Sequence, residues 1–270
     1  MKSALFRSKR TAILTLSLLV LSAAGTATAG LLGISGDSVL YDLNTTNGAP
    51  SNSRNVGNKV TAIAYAPWGT LYGVSHGFPT DVPIGGQLFT IVESTGFPTL
   101  VATMDTFIAT EGDIAFDPTS GTLYAVDGEG QLFTINTTNG QGAVIGDISS
   151  SNIDISAIAF DAAGNLFAVD SFGPSLLKVN KANAAVISTK PLSPVNQEVG
   201  GLAFRPSNGI LFHASGYSSS KLDTVDPNTG NATAVGPIPV NGGIWGLTFA
   251  PEEPTGMRSM SWGRVKASRR

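Results

Sequence analysis

Short apolar segments interrupted by small residues recur along the chain and predict β-strands. A three-residue pattern, apolar then small then aromatic, occurs five times, and its aromatic positions are 51, 44, 44 and 45 residues apart. A period of roughly 40 to 50 residues is typical of a repeating unit of four strands. The five copies are Ile63-Ala64-Tyr65, Ile114-Ala115-Phe116, Ile158-Ala159-Phe160, Leu202-Ala203-Phe204 and Leu247-Thr248-Phe249.

The third unit illustrates the internal order of the repeat. Turn residues separate its apolar segments, and Asn139-Gly140 is a strong hairpin signal because both residues tolerate positive φ. The four strands predicted for this unit are Asp113–Phe116, Leu123–Val126, Gln131–Asn136 and Ala143–Gly146.

The repeated motif also predicts how the units pack. Successive side chains of a strand face opposite ways, so Ile114 and Phe116 share one face while Ala115 occupies the other. Each sheet would therefore present a bulky face and a small face. The bulky face of one sheet can then press against the small face of its neighbour around a common axis.

The two ends of the repeat region complete each other. Residues 31–48 align without a gap with residues 123–140, so the first unit begins at its second strand. Residues 246–251 contain the first-strand motif with no later strand after it. We therefore predict an all-β, five-bladed β-propeller whose first blade is completed by the C-terminal strand, which removes exposed sheet edges. A six-bladed or irregular propeller, independent β-repeats and a β-sandwich are the alternatives.

The segments Phe116–Asp127 and Phe160–Asp170 share the sequence Phe-Asp, a turn with glycine, then Leu-Tyr/Phe-Ala-Val-Asp. This run resembles the blades of exported NHL-like propeller repeats, and the resemblance covers nearly all of residues 31–251. It implies a propeller fold but no single function. Propellers of this kind include scaffolds, carbohydrate or peptide binders, and lactonase-like enzymes.

The chain termini differ from the repeat region. Residues 1–29 have a basic start, an apolar run and Ala27-Thr28-Ala29 before Gly30, which is typical of a signal peptide. We expect residues 30–254 to form the propeller, with no transmembrane segment after signal removal, in a secreted or periplasmic bacterial protein. Residues 255–270 would be a flexible basic tail that contacts the anionic cell envelope. Pro251-Glu252-Glu253-Pro254 and the closing arginines resemble a Pro-Glu-Pro sorting tail, without its apolar span.

Charge and cysteine content narrow the classes of partner. Residues 30–254 contain seven basic and 19 acidic side chains, a net charge of −12, whereas the whole chain has a formal net charge of −3. An acidic body argues against nucleic acid as a partner, because phosphate binding needs a basic face. The chain contains no cysteine, so neither disulfides nor thiolate metal sites stabilise it.

Several carboxylates fall in loops that a propeller gathers at one end of its axis. Such a group could bind Ca²⁺, which prefers oxygen ligands. Glu111-Gly112 before an inner strand is similar to the metal-binding segment of gluconolactonase-like propellers. That resemblance implies Glu111, Asn152 and Asp170 as ligands. The alternative is that these acids are ordinary solvated loop residues.

A second set of residues is a candidate for ligand recognition. The long loop from Ser75 to Gly86 carries His76, Phe78 and Asp81, which suit a peptide, glycan or protein ligand, although a plain insertion would look the same. Asp127 lies in the matching loop of the next unit. His213 takes a position that Gly73, Ala125 and Ala168 hold in other units, so it could face a pocket. The alternative is a histidine accommodated locally in the structure, since one histidine without a partner does not make an acid/base site.

The sequence therefore predicts an exported, non-catalytic binding or scaffold propeller. A metal-dependent, lactonase-like hydrolase and a structural protein of the cell envelope are the two alternatives. The chain shows no nucleophile elbow, phosphate-binding loop or dinucleotide fingerprint.

Overall fold

A computed structural model of the chain shows an all-β protein built from five four-stranded antiparallel sheets. The structure describes residues 30–75, 86–105, 112–148, 153–193, 200–215 and 220–251. The predicted signal peptide and basic tail lie outside these residues. Within the described ranges, no helix has the length and apolarity needed to cross a membrane.

The strands follow one another through the sheets in chain order, and the last strand returns to the first sheet. The first three blades contain β1 (Leu31–Ser35), β2 (Val39–Leu43) and β3 (Pro50–Asn55); β4 (Val60–Tyr65), β5 (Leu71–Ser75), β6 (Gln87–Val92) and β7 (Phe97–Thr103); and β8 (Asp113–Phe116), β9 (Leu123–Val126), β10 (Gln131–Ile135) and β11 (Gly142–Asp147). The remaining strands are β12 (Ile155–Phe160), β13 (Leu166–Asp170), β14 (Ser175–Val179) and β15 (Val186–Pro191); β16 (Gly200–Phe204), β17 (Leu211–Ser215), β18 (Lys221–Val225) and β19 (Ala232–Pro237); and β20 (Ile244–Phe249).

The C-terminal strand closes the ring. Strand β20 pairs antiparallel with β1, with Leu31 opposite Phe249 and Gly33 opposite Leu247, and the resulting sheet has the order β20-β1-β2-β3. The inner strands β4, β8, β12, β16 and β20 each contact the inner strands of the two neighbouring blades, and β20 contacts β4. The prediction of a five-bladed propeller with a composite first blade is confirmed.

The blades pack through the alternation that the motif predicts. Ala157 and Ala159 on the small face of β12 belong to the same buried cluster as Leu202 on the bulky face of β16. Likewise Ala115 of β8 packs in one cluster with Ile158 and Phe160 of β12. Small residues let neighbouring inner strands approach closely, so the core is a series of interfaces between blades.

Aromatic contacts repeat at these interfaces. An aromatic residue on the second strand of one blade meets the aromatic residue that ends the inner strand of the next blade, with ring centroids 5.1 to 5.5 Å apart. Such pairs add to the apolar burial that joins the blades. The four pairs are Tyr72–Phe116, Tyr124–Phe160, Phe167–Phe204 and Phe212–Phe249.

Short turns join the third and fourth strands of each blade. In the third blade Asn136 Oδ1 accepts a hydrogen bond from the Thr138 N–H at 2.9 Å, and Gly140 closes the turn with φ of 73°. A Cβ at Gly140 would lie 2.9 Å from the Ala102 Cβ of the preceding blade. Glycine is therefore required both by the backbone angle and by the neighbouring blade.

The molecule has two distinct ends along its axis. At the end that we call the turn end, the five inner strands finish, and short turns lead from four of them to the second strands of their blades. At the opposite end, the loop end, the inner strands begin. The turn end is described almost completely, whereas five of the ten loops of the loop end include residues outside the described ranges.

Candidate functional site: an axial cavity at the turn end

A cavity of about 210 Å³ lies on the axis at the turn end. All five inner strands line it, and side chains from the turns that follow, including Pro118, Ala162 and Pro206, form its rim. The inner strands finish at this cavity because each repeat places its aromatic residue at the same strand end. The five strand-end residues are Tyr65, Phe116, Phe160, Phe204 and Phe249.

The backbone of these strand-end residues points toward the axis. The residue after each of them donates its N–H to the second strand of its own blade, as in Ala66 to the Thr70 carbonyl at 2.9 Å and Arg205 to the Ile210 carbonyl at 2.8 Å. Alternate residues of a strand direct their N–H groups to opposite sides. The N–H groups of the five strand-end residues therefore point away from the second strand and toward the cavity.

One of these five N–H groups has a side-chain partner. Tyr65 donates its N–H to the Thr248 Oγ1 of the neighbouring inner strand at 3.0 Å. The corresponding position in the other blades is alanine, at Ala64, Ala115, Ala159 and Ala203, which offers no acceptor. No side chain among the described residues accepts from the four remaining N–H groups, which belong to Phe116, Phe160, Phe204 and Phe249.

A buried acid, Asp113, connects two neighbouring inner strands near the axis. Asp113, at 1% exposure, begins β8 and accepts hydrogen bonds from the Ile114 N–H at 2.8 Å and from the Ile158 N–H of β12 at 3.1 Å. Burial raises the pKa of Asp113 well above its usual range, and the two N–H donors oppose this rise. Asp113 therefore links two blades whose inner strands do not pair with each other.

Arg205 supplies positive charge at the cavity rim. Its guanidinium lies 4.8 Å from the ring centroid of Phe212 and 5.6 Å from that of Phe249, which hold it by cation–π contacts. Among the described residues, no carboxylate forms an ion pair with Arg205. The acid on the rim, Asp161, already accepts from the N–H groups of Ala163 and Asn165 and from the Asn165 amide.

Asp170 and Asp127, two residues of the predicted sites, lie at the loop end and bind nearby backbone. Asp170 Oδ1 accepts from the Asp154 N–H at 3.2 Å and the Phe172 N–H at 3.0 Å. Asp127 Oδ1 accepts from the Gln131 N–H at 2.7 Å, and burial is the main cause of its raised pKa. Both carboxylates thus stabilise the conformation of the loops that contain them.

The other predicted ligands at the loop end lie outside the described residues. This applies to the metal ligands Glu111 and Asn152 and to the loop residues His76, Phe78 and Asp81. In the part of the chain that the structure describes, no three His, Asp or Glu side chains are grouped closely enough to hold a metal ion.

His213 lies inside the interface between the fourth and fifth blades, at 0% exposure. Neither ring nitrogen has a hydrogen-bond partner among the residues that the structure describes, and burial lowers the pKa of His213 to about 4. Asp223 lies directly opposite on β18, and Leu202 lies opposite on β16. In this arrangement no surface of the imidazole is open to a ligand.

The axial cavity was not predicted from the sequence. A signal was present, since the position after the strand-end aromatic is Ala66, Asp117, Asp161 and Ala250 in four blades and arginine only at Arg205. The sequence could not predict that the strand-end N–H groups converge on one cavity, because this arrangement depends on five strands that are distant in the chain.

The family model described as "Repeat of unknown function (DUF6923)" matches residues 86–252. The chain belongs to this repeat family. The match covers the second to fifth blades from β6 onward and includes the closing strand β20. No curated protein is significantly similar to the DUF6923 chain in sequence.

Two solved structures are similar to this DUF6923 propeller. A structural genomics protein of unknown function from Bacteroides thetaiotaomicron VPI-5482 is 13% identical with a TM-score of 0.53, and the match covers 84% of this chain and 66% of that one. A protein of unknown function from Bacteroides caccae is 11% identical with a TM-score of 0.53, and the match covers 83% of this chain and 99% of that one. At these identities the similarity shows the fold alone.

Proposed function

We propose that the protein is a non-catalytic binding module whose small ligand enters the axial cavity at the turn end. The observation that carries this proposal is the set of four N–H groups that point into the cavity and have no side-chain acceptor among the described residues. A buried donor without a partner is costly, so these groups must meet water or a ligand. A preformed cavity with a few convergent polar groups is the usual form of a small-molecule site.

The chemistry of the cavity wall favours binding over catalysis. Its titratable side chains are Tyr65, Asp161 and Arg205. Burial, followed by the hydrogen bond that the Tyr65 hydroxyl donates to Glu93, raises the pKa of Tyr65. The Asp161 carboxylate already accepts hydrogen bonds from the N–H groups of Ala163 and Asn165 in its own turn. Within the described lining, therefore, no general base is placed beside a side-chain nucleophile, as covalent catalysis would require.

The metal-dependent hydrolase remains a distinct second hypothesis, located at the loop end. It requires Asp170 to bind Ca²⁺ together with Glu111 and Asn152. Calorimetric titration with Ca²⁺, using wild type and Asp170→Asn, tests it. Metal binding that is lost in Asp170→Asn would support the hydrolase, and an absence of binding at millimolar Ca²⁺ would remove it.

The cavity proposal is tested by backbone-amide NMR with a library of small peptides, sugars and organic acids. We expect at least one ligand to shift the amide signals of Phe116, Phe160, Phe204 and Phe249. Ala162→Trp should block this response, since exposed Ala162 is on the cavity rim. Ala163→Trp is the matched control, because Ala163 is equally exposed but does not line the cavity. Shifts confined to the loop end would contradict the proposal.

We further propose that the protein acts after export, as residues 1–29 suggest, and that residues 255–270 hold it electrostatically at the cell envelope. The basic tail and the acidic body support this arrangement. Sequencing of the mature N-terminus should give Gly30. Release from the envelope by salt, or by removal of residues 255–270, would support the docking role; retention under both conditions would contradict it.

A further inference from the structure

Arg205 differs from Arg54 and Lys181 in its partners. Arg54 forms an ion pair with Asp42 at 2.6 Å, and Lys181 forms one with Asp117 at 2.6 Å. Among the described residues, Arg205 contacts aromatic rings and pairs with no carboxylate, although residues 30–254 hold 19 acidic side chains. In so acidic a body, a positioned cation without a carboxylate is a site where an external anion can bind.

The donors around Arg205 fit one chemical group. An arginine presents its N–H groups in a planar fork that matches the two oxygens of a carboxylate. The N–H groups of Phe204 and Phe249 point into the same cavity that Arg205 lines. A carboxylate on the rim would therefore meet charged donors on one side and backbone donors on the other.

The axial backbone also offers acceptors. In a β-strand the N–H and C=O groups of one residue point to the same side, so the carbonyls of the strand-end residues face the axis as well. A bare anion would satisfy the N–H groups and leave these carbonyls unmatched. A hydroxyl or ammonium group next to the carboxylate would donate to them.

The size of the cavity limits the ligand. Its volume of about 210 Å³ is below the roughly 300 to 1,000 Å³ of pockets that take drug-sized ligands. A small molecule of similar size can enter as a whole, whereas only the terminal group of a larger ligand could.

We propose that the axial cavity binds a small carboxylate that carries a hydroxyl or amino group on the adjacent carbon, with Arg205 pairing with the acid group. This inference rests on the proposed function, because it names the ligand class for the same cavity. The positive charge of Arg205 provides affinity for the carboxylate. The strand-end carbonyls select ligands that carry a hydroxyl or amino group beside it.

Isothermal titration calorimetry with four matched probes tests this specificity. Glycolate carries both groups, acetate lacks the hydroxyl, glycolamide lacks the charge, and inorganic phosphate is a different oxyanion. We expect glycolate to bind wild-type protein at least about tenfold more tightly than glycolamide, since a charge-assisted hydrogen bond contributes on the order of one to two factors of ten in affinity. We expect it to bind about two- to tenfold more tightly than acetate, since the hydroxyl adds a neutral hydrogen bond, and more tightly than phosphate. Equal binding of acetate would overturn the donor requirement, and preferential binding of phosphate would overturn the carboxylate assignment.

Three variants locate the binding. Arg205→Gln should weaken glycolate binding at least about tenfold, and Arg205→Lys should restore part of it because the charge returns. Lys178→Gln is the control, since Lys178 also lies over an aromatic ring, 5.8 Å from the Phe167 centroid, but does not line the cavity. It should leave binding unchanged. Equal losses in Arg205→Gln and Lys178→Gln would overturn the role of Arg205.

The test separates this inference from the proposed function. If glycolamide binds as tightly as glycolate and Ala162→Trp abolishes binding of both, the cavity is a ligand site but the carboxylate assignment is wrong. If Ala162→Trp leaves glycolate binding intact, glycolate binds elsewhere and this inference fails; the proposed function fails only if no ligand of the library shifts the strand-end amide signals either. Circular dichroism and thermal melting of each variant would verify that the fold is retained.

Discussion

Buried polar residues at single positions carry much of what distinguishes one blade from another. The cross-strand pair His213 and Asp223 replaces a pair that is small and bulky in other blades, such as Ala125 opposite Phe133. His213 is fully buried without a hydrogen-bond partner, so its charged form is strongly disfavoured in the folded state. This residue should therefore make folding sensitive to mild acid.

The pH dependence follows from the lowered pKa of His213, about 4 in the folded state, where burial disfavours the imidazolium. Because the unfolded chain binds the proton near pH 6.5, stability should fall as the pH drops from about 6.5 to about 4. Urea unfolding at pH 7 and pH 4.5 should show wild type losing about 2 kcal/mol more than His213→Leu between the two conditions. Identical losses would show that Asp223 or a rearrangement stabilises the proton.

Asp113 is the second residue whose effect can be isolated. Asp113→Ala removes the acceptor for the Ile158 N–H, which leaves a buried donor near the axis. We expect a loss of about 1 to 3 kcal/mol in the free energy of unfolding. Asp147→Ala also removes one carboxylate, but from an exposed position at the end of β11, and should change stability by less than about 0.5 kcal/mol. Denaturant titration compares them, and equal effects would contradict the bridging role of Asp113.

At the scale of the strand, the inner strands have two features: a local alternation of side chains, and N–H groups whose role depends on the arrangement of all five strands. The alternation of Ile158, Ala159 and Phe160 is local, so the sequence alone predicts which face is small. The direction of the strand-end N–H groups becomes informative only when five strands surround one axis. For this reason the strands and the closing contact of β20 could be predicted, whereas the cavity could not.

The small face can be tested by overpacking. Ala159 lies at 4% exposure against residues of the fifth blade, including Leu202. Ala159→Leu should reduce the free energy of unfolding by about 1 to 3 kcal/mol, because the neighbouring inner strand cannot move away without opening the ring. Ala143→Leu, on the exposed outer strand β11, is the control and should be nearly neutral. A neutral effect at Ala159 would mean that the blades pack loosely.

The environments of His213 and Arg205 depend on tertiary contacts. The repeat marks His213 as an exception, but the burial of His213 depends on the fourth blade, which the repeat pattern does not describe. Arg205 follows a strand-end aromatic in the same way as Asp161, and only the contacts show that Asp161 is occupied while Arg205 has no carboxylate partner among the described residues. Partner assignment is a tertiary property, so residue type and spacing could not supply it.

At the scale of the whole molecule, the ring depends on its closing strand. Residues 244–249 form β20, which pairs with β1 and packs against β16. Deletion of residues 244–254 should expose the edge of β1 and abolish cooperative thermal unfolding, since both neighbouring interfaces are lost. Deletion of residues 255–270 is the control and should leave the melting temperature unchanged. Cooperative melting of the first variant at the wild-type temperature would contradict closure as the source of stability.

Binding at the axis of the turn end can be seen directly in a crystal structure of the protein with glycolate. We expect a ligand in the axial cavity, with its carboxylate within hydrogen-bond distance of the Arg205 guanidinium and its hydroxyl facing the strand-end carbonyls. A ligand bound at the loop end beside Asp170, or an axial cavity that holds only water at saturating glycolate, would contradict it.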